Sequence, residues 1–152
     1  MGIDLQKRVE ETLENEMSVW VEFPAVPGFE VEIVFVGRDE LTKLYEQCTR
    51  KKYSHQSHKL EDEVDRTKLM RFWAGKAIKN WRGLTLSKVV KLLPIELSKD
   101  DNPELEIECV ESNKLALLKH NADFDQFVLD VATNSDVFME YKNQIKREVE
   151  NL

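Results

Sequence analysis

The chain has 152 residues, of which 41% are hydrophobic, and a formal net charge of −7. This length and composition predict a single folded domain, 1–152, with a core of its own, and they exclude a disordered chain. The net negative charge argues against a protein that binds polyanions over its whole surface.

The residues that report on the cellular compartment indicate the cytoplasm. Cys48 and Cys109 are far apart in the sequence, which predicts free thiols rather than a disulfide framework. The first seventeen residues are charged throughout, unlike a secretion signal. No stretch reaches eighteen consecutive apolar residues, so we expect no membrane-spanning helix.

The first two elements are predicted by a change of hydrophobic period. In residues 1–17, Leu5, Val9 and Leu13 are spaced four apart, which predicts a short amphipathic helix. Residues 18–36 alternate apolar and polar side chains on both sides of "PAVPG", which predicts a β-hairpin with a turn longer than two residues.

The segment 38–93 is predicted to be helical and interrupted by a polar loop. "RDELTKLYEQC" has helical periodicity, with acids in its first turn. The charged stretch 49–65 predicts a mobile loop. Residues 66–82 then predict a helix that ends at Gly83, and Thr85 predicts the cap of a short helix that Pro94 terminates.

The remainder of the chain is predicted to contain an acidic connection, 94–111, followed by the C-terminal helices, 112–152. Together these elements predict an α+β fold. It is a mostly helical single domain with an N-terminal β-hairpin and five or six helices.

The sequence contains no pattern typical of catalysis or of a cofactor site. It lacks G-x-S-x-G, a glycine-rich phosphate loop and H-E-x-x-H. His55 and His58 form one H-x-x-H, but neither cysteine is near them in sequence, so solvated loop residues are favoured over a metal site. We therefore expect a binding protein without catalytic residues, metal or cofactor.

The segment 66–91 contains many cations and no acid, and we call these cations the basic strip. A nucleic-acid interface is one interpretation, with aromatic rings stacking on bases. The favoured interpretation is an amphipathic helix with buried rings and a solvated or partner-facing basic side, which the acids of 96–111 neutralise within the fold or across a dimer. The strip comprises Arg66, Lys68, Arg71, Lys76, Lys79, Arg82, Lys88 and Lys91.

Three blocks together resemble a known family. They are "VEFPAVPGFEVEIVFVGRDELTKLYEQCT", "AIKNWRGLTLSKVVKLLPIEL" and "ESNKLALLKHNADFDQFVLDVA". They are similar to the N-terminal hairpin with its first helix, the central W-x-G-L segment and the later helices of tail assembly chaperones from long-tailed bacteriophages. The resemblance extends over residues 18–140 and consists of packing and turn patterns, with no catalytic signature.

The resemblance implies a non-enzymatic protein that acts in the cytoplasm of the bacterial host and is absent from the finished virion. Such chaperones bind the tape measure protein, which is long, helical and prone to aggregate before the tail tube polymerises around it. The tail tube protein is a further partner to consider. Some members also exist in a frameshifted form with a C-terminal extension.

A chaperone of this kind needs an accessible apolar surface of its own. The candidates are the stripe of the last helix, made of Phe138, Tyr141, Ile145 and Val149, and Trp20, which faces away from its apolar neighbours in the hairpin. The alternative for each residue is a place in the core. Self-association through the opposite charges of the acidic and basic segments is a further expectation.

Overall fold

The computed structural model describes residues 2–14 and 17–151. These segments form an α+β fold, which confirms the predicted class. The elements, in chain order, are α1 (Leu5–Glu14), β1 (Ser18–Glu22), β2 (Glu30–Val34), α2 (Arg38–Gln47), β3 (Thr49–Ser54), β4 (Lys59–Val64), α3 (Arg66–Ala77), β5 (Ile78–Arg82), α4 (Leu86–Leu92), α5 (Glu111–His120), α6 (Ala122–Ala132) and α7 (Ser135–Glu150).

Strands β1, β2 and β5 form an antiparallel sheet with β2 in the middle. The predicted N-terminal hairpin is confirmed, since β1 and β2 pair along their full lengths. Val31 and Ile33 of β2 are fully buried, because alternate side chains of a strand point to the same face. Helices α3 and α6 pack against β2 and enclose the core.

A cluster of aromatic rings connects the hairpin turn to β5 and α6. Phe29 stacks on Phe124 with 5.9 Å between ring centroids, and Trp81 meets Phe29 edge-on at 6.0 Å. The indole Nε1 of Trp81 donates a hydrogen bond of 2.7 Å to the carbonyl of Ile107. This bond attaches the acidic connection to the core.

The predicted helix over 66–82 is wrong in its last turn. The helix ends at Ala77, and Ile78 begins strand β5. The three-residue spacing of Ile78 and Trp81 fits a helix, but it also fits a strand with an irregular register, which β5 has opposite Glu32 and Ile33. Pairing with β2 decides the outcome, since it satisfies backbone groups that a sheet edge leaves open.

Gly83 ends a strand rather than a helix, because two turns approach each other there. Its φ is +75°, and a Cβ at this position would lie 2.0 Å from the carbonyl oxygen of Gly28. Lys88 Nζ donates a 2.7 Å hydrogen bond to the Gly83 carbonyl. The turn of the first hairpin and the W-x-G-L segment, which both carry the family resemblance, are therefore in direct contact.

The prediction of a mobile polar loop over 49–65 is also wrong. Strands β3 and β4 form an antiparallel hairpin that is separate from the central sheet. Arg50 pairs with Glu63 across the strands and Lys51 pairs with Asp62, so the charges that suggested a loop lie in complementary register. The polar composition of the segment predicted a loop because composition does not show how the two halves of the segment align.

The C-terminal half follows the sequence prediction closely. Asn121 caps α6 by accepting a hydrogen bond of 2.9 Å from the backbone N–H of Phe124, and Asn134 caps α7. Within the predicted connection 94–111, residues 94–110 carry one isolated bridge, Thr85↔Glu106, and no helix or strand, and Glu111 already begins α5. The described segments hold seven helices rather than five or six, and none of these is long and apolar enough to cross a membrane.

Candidate partner-binding surface

Two adjoining clefts lie along α3, and we call them together the α3 groove. The first lies between α2, α3 and α6, the second lies between α3 and α5, and each has a volume of about 370 Å³. Both are lined by Arg66 and Met70, so they meet at the N-terminal half of α3. The other apolar lining residues are Leu41, Val64, Leu69, Trp73 and Leu129 in the first cleft and Leu115 and Ala116 in the second.

The groove exists because the apolar face of α3 is wider than the core can cover. Trp73, Ala74 and Ala77 are buried, whereas Leu69 and Met70 are only half-buried. The N-terminal end of α3 is fixed by Asp65, whose side chain caps the helix. A helix this broadly apolar leaves part of its apolar surface exposed to solvent.

Positive charge marks the rim of the groove. Arg66 lines both clefts, and Lys119 lines the second cleft together with the hydroxyl side chains Thr67 and Ser112. Asp125 lines the first cleft, where burial raises the pKa of its carboxyl group. The groove therefore combines an apolar floor with cationic and hydroxyl groups at its edges.

The structure divides the predicted partner-binding stripe of α7. Phe138 is 2% exposed and its ring lies 5.1 Å from that of Phe35, so it belongs to the core and is not accessible to a partner. Tyr141 is half-buried against the same core. Ile145 and Val149 are exposed, so the accessible part of the stripe is the C-terminal half of α7.

Trp20 is half-buried and covered by a cation. The guanidinium carbon of Arg82 lies 4.2 Å from the Trp20 ring centroid. Arg82 also makes two hydrogen bonds to the Glu30 carboxylate, of 3.1 and 3.2 Å, and these bonds raise the pKa of Arg82. Arg82 of the basic strip thus covers one face of Trp20, which was a predicted partner-binding residue.

The other members of the basic strip are spread over several elements. Arg71 contacts Glu111, as expected for neutralisation by the acidic segment within the fold, and Lys76 contacts Glu40 of α2. Lys68 donates to the carbonyl of Gln47. The strip does not form one continuous helical face, because Lys79 and Arg82 lie on β5 and Lys88 and Lys91 lie on α4.

The histidine pair lies at the tip of the second hairpin. Tyr53 Oη is 3.3 Å from His58 Nδ1, and the Tyr53 ring packs edge-on against His55. Over residues 2–14 and 17–151, no three His, Cys, Asp or Glu side chains gather as a metal site would require. Cys48 is buried, and burial raises the pKa of Cys109, which lowers its thiolate fraction.

Comparison of the chain with protein-family models, with curated proteins and with solved structures found no match.

The groove brings together residues that the sequence could not place side by side. Arg66 belongs to the basic strip, whereas Met70 is an apolar residue one turn further along α3. Leu115 and Leu129 come from helices that are distant in the sequence. The available signal in the sequence was the wide apolar face of α3, because a helix with one buried side requires only a narrower stripe.

Proposed function

We propose that this chain is a tail assembly chaperone of a long-tailed bacteriophage. It binds the tape measure protein and keeps it soluble until the tail tube polymerises. The observation that carries the proposal is the α3 groove, because it offers a concave apolar surface with charged edges. The resemblance of residues 18–140 to such chaperones supports the same function.

The groove suits a helical client. An amphipathic helix binds such a groove by inserting apolar side chains spaced three or four residues apart. Two clefts that meet at Met70 provide for two such anchors. Covering these anchors on the client removes the surface through which it would otherwise aggregate.

The rim predicts the chemistry of the bound segment. Arg66 and Lys119 favour acidic residues beside the apolar anchors of the client. These cations are at the surface, so salt should screen their contribution and slow the association. The exposed end of α7 is a less suitable client site, because it presents two aliphatic residues on a convex helix instead of a cleft.

The experiment is co-expression of the chain with the tape measure protein encoded in the same genome. We expect the client to remain soluble and to co-purify with the chain. Ala116→Glu, which places a carboxylate in the floor of the second cleft, should reduce the recovered client about tenfold or more. Ala122→Glu is the matched control, because Ala122 is exposed on the first turn of α6 and lines neither cleft.

Two results would contradict the proposal. One is a client that stays insoluble with the unaltered chain. The other is equal recovery of the client with Ala116→Glu and with Ala122→Glu, which would mean that the client does not bind in the α3 groove. If the chain is instead retained on DNA at low salt and released as salt rises, the nucleic-acid interpretation of the basic strip would replace the chaperone.

A further inference from the structure

Two apolar stripes remain uncovered within one copy of the chain. On α1, Leu5 is 73% exposed and Val9 is 51% exposed. On α7, Ile145 is 43% exposed and Val149 is 62% exposed. Each pair has the four-residue spacing of one helix face, and the exposure of all four residues means that the two stripes do not cover each other.

Helix α1 in particular needs a packing partner. It has ten residues, and every side chain from Leu5 to Glu11 is exposed. Isolated helices shorter than about 12 residues are marginally stable in water, so a helix of this length depends on packing of its apolar face. The described residues of the same copy leave more than half of the Leu5 and Val9 side chains exposed.

We propose that a second copy of the chain provides this cover. In a dimer, α1 of each copy packs antiparallel against the C-terminal half of α7 of the other copy. The two seams are related by a two-fold axis, and this symmetry closes the assembly at two copies. This inference concerns surfaces outside the α3 groove and does not depend on the proposed function.

The charges beside the stripes select the antiparallel direction. Side chains advance by 100° per residue around a helix, so Glu10 lies on one flank of Val9. When Val9 is set between Ile145 and Val149 of the partner in the antiparallel direction, Glu10 comes level with Lys146 on the same flank of the seam. This places an acid beside a base.

The other flank gives the same result. In the antiparallel direction Arg8 comes level with Glu148, again as opposite charges. In the parallel direction the flanks exchange, so that Glu10 meets Glu148 and Arg8 meets Lys146, which are like charges. Flanking charges determine the direction and partner choice of paired helices in this way.

The test is sedimentation velocity of the full chain over a wide range of concentrations. We expect a reversible monomer–dimer equilibrium, and we expect Val9→Glu to abolish the dimer. Glu10→Lys and Lys146→Glu should each weaken dimerisation about tenfold, because each ion pair occurs twice in the dimer. The double variant should return to within about threefold of the original dissociation constant, since it restores the pair with exchanged signs.

Matched controls separate this effect from loss of folding and from general charge effects. Glu104→Lys and Lys99→Glu reverse exposed charges in the acidic connection and should leave the equilibrium unchanged. The circular dichroism spectra of all variants should agree, except for the loss of helical signal from α1 where the dimer is lost. A chain that is monomeric at every concentration, or a dimer that tolerates Val9→Glu, would overturn the proposal. The proposal would also be overturned if the double variant lost as much dimerisation free energy as the two single variants lose together.

Discussion

The two β-hairpins of this chain have the same topology, but different interactions stabilise them. In the first, β1 and β2 alternate apolar and polar residues, and their inner face is buried under α3 and α6. In the second, most residues of β3 and β4 are polar and none is buried, and the central cross-strand partners, such as Lys51 and Asp62, form ion pairs at the surface. Burial specifies the first hairpin, whereas charge register specifies the second.

This difference explains which hairpin the sequence predicted. An alternating apolar pattern signals a strand because burial on one face requires it. The "TRKKYS" and "KLEDEV" strands carry no such alternation, and only their pairing reveals that Lys51 lies opposite Asp62. A pattern that becomes meaningful only after two segments are aligned is not visible in either segment alone.

The largest expected effect lies in the first hairpin. Phe29→Ala removes a fully buried ring that contacts Phe23, Trp81 and Phe124. We expect a loss of about 3–5 kcal/mol in the free energy of unfolding, measured by urea denaturation. Tyr53→Ala in the second hairpin is the matched aromatic change. It should cost less than about 1 kcal/mol, because Tyr53 is exposed. Equal losses would contradict the comparison.

The next effect concerns the contact that holds the first hairpin turn against the end of β5. Gly83→Ala forces a Cβ toward the Gly28 carbonyl and keeps a positive φ that alanine disfavours. We expect a destabilisation of at least about 2 kcal/mol in thermal or urea unfolding. Gly75→Ala is the control. Gly75 lies on α3 with no atom within 4 Å of its added Cβ, so that change should stabilise the chain by about 0.5–1 kcal/mol.

A smaller effect is expected from the partly buried carboxyl group of Asp125, which should make the free energy of unfolding depend on pH. The raised pKa of Asp125 means that the folded chain binds this proton more tightly than the unfolded chain does. The penalty on its charged form is therefore absent below the unfolded pKa and fully present above the folded pKa.

Asp125→Asn should accordingly raise the free energy of unfolding at neutral pH, and the gain should vanish in acid. Urea denaturation at the two pH values measures the difference. Asp123→Asn is the control, because Asp123 lies in the same first turn of α6 but is exposed. A gain at Asp125 that persists unchanged in acid would contradict the assigned cause.

The smallest effect is expected in the second hairpin. Lys51→Glu replaces the ion pair with Asp62 by two like charges that are both well exposed. We expect a loss of at most about 1 kcal/mol, decreasing as salt is added, because surface pairs are strongly screened. A loss comparable to that of Phe29→Ala would mean that the second hairpin supports the core after all.

The sequence predicted elements whose signal is local and missed features that depend on pairing between distant segments. Helices α2 and α4 follow from the periodicity and flanking residues of their segments, and α7 follows from its apolar stripe. Strand β5 was missed because Ile78 and Trp81 fit a helix equally well until β2 is beside them. The accessible site was missed for a related reason: periodicity identifies apolar faces, but it does not say which part, such as Phe138 rather than Ile145, the rest of the fold covers.

Hydrogen exchange of the purified complex tests the proposal that the α3 groove holds a segment of the tape measure protein. We expect client binding to slow amide exchange in α3 and α5 relative to the free chain and to leave exchange in α7 unchanged. Protection confined to α7, or no protection in any segment at saturating client, would contradict it.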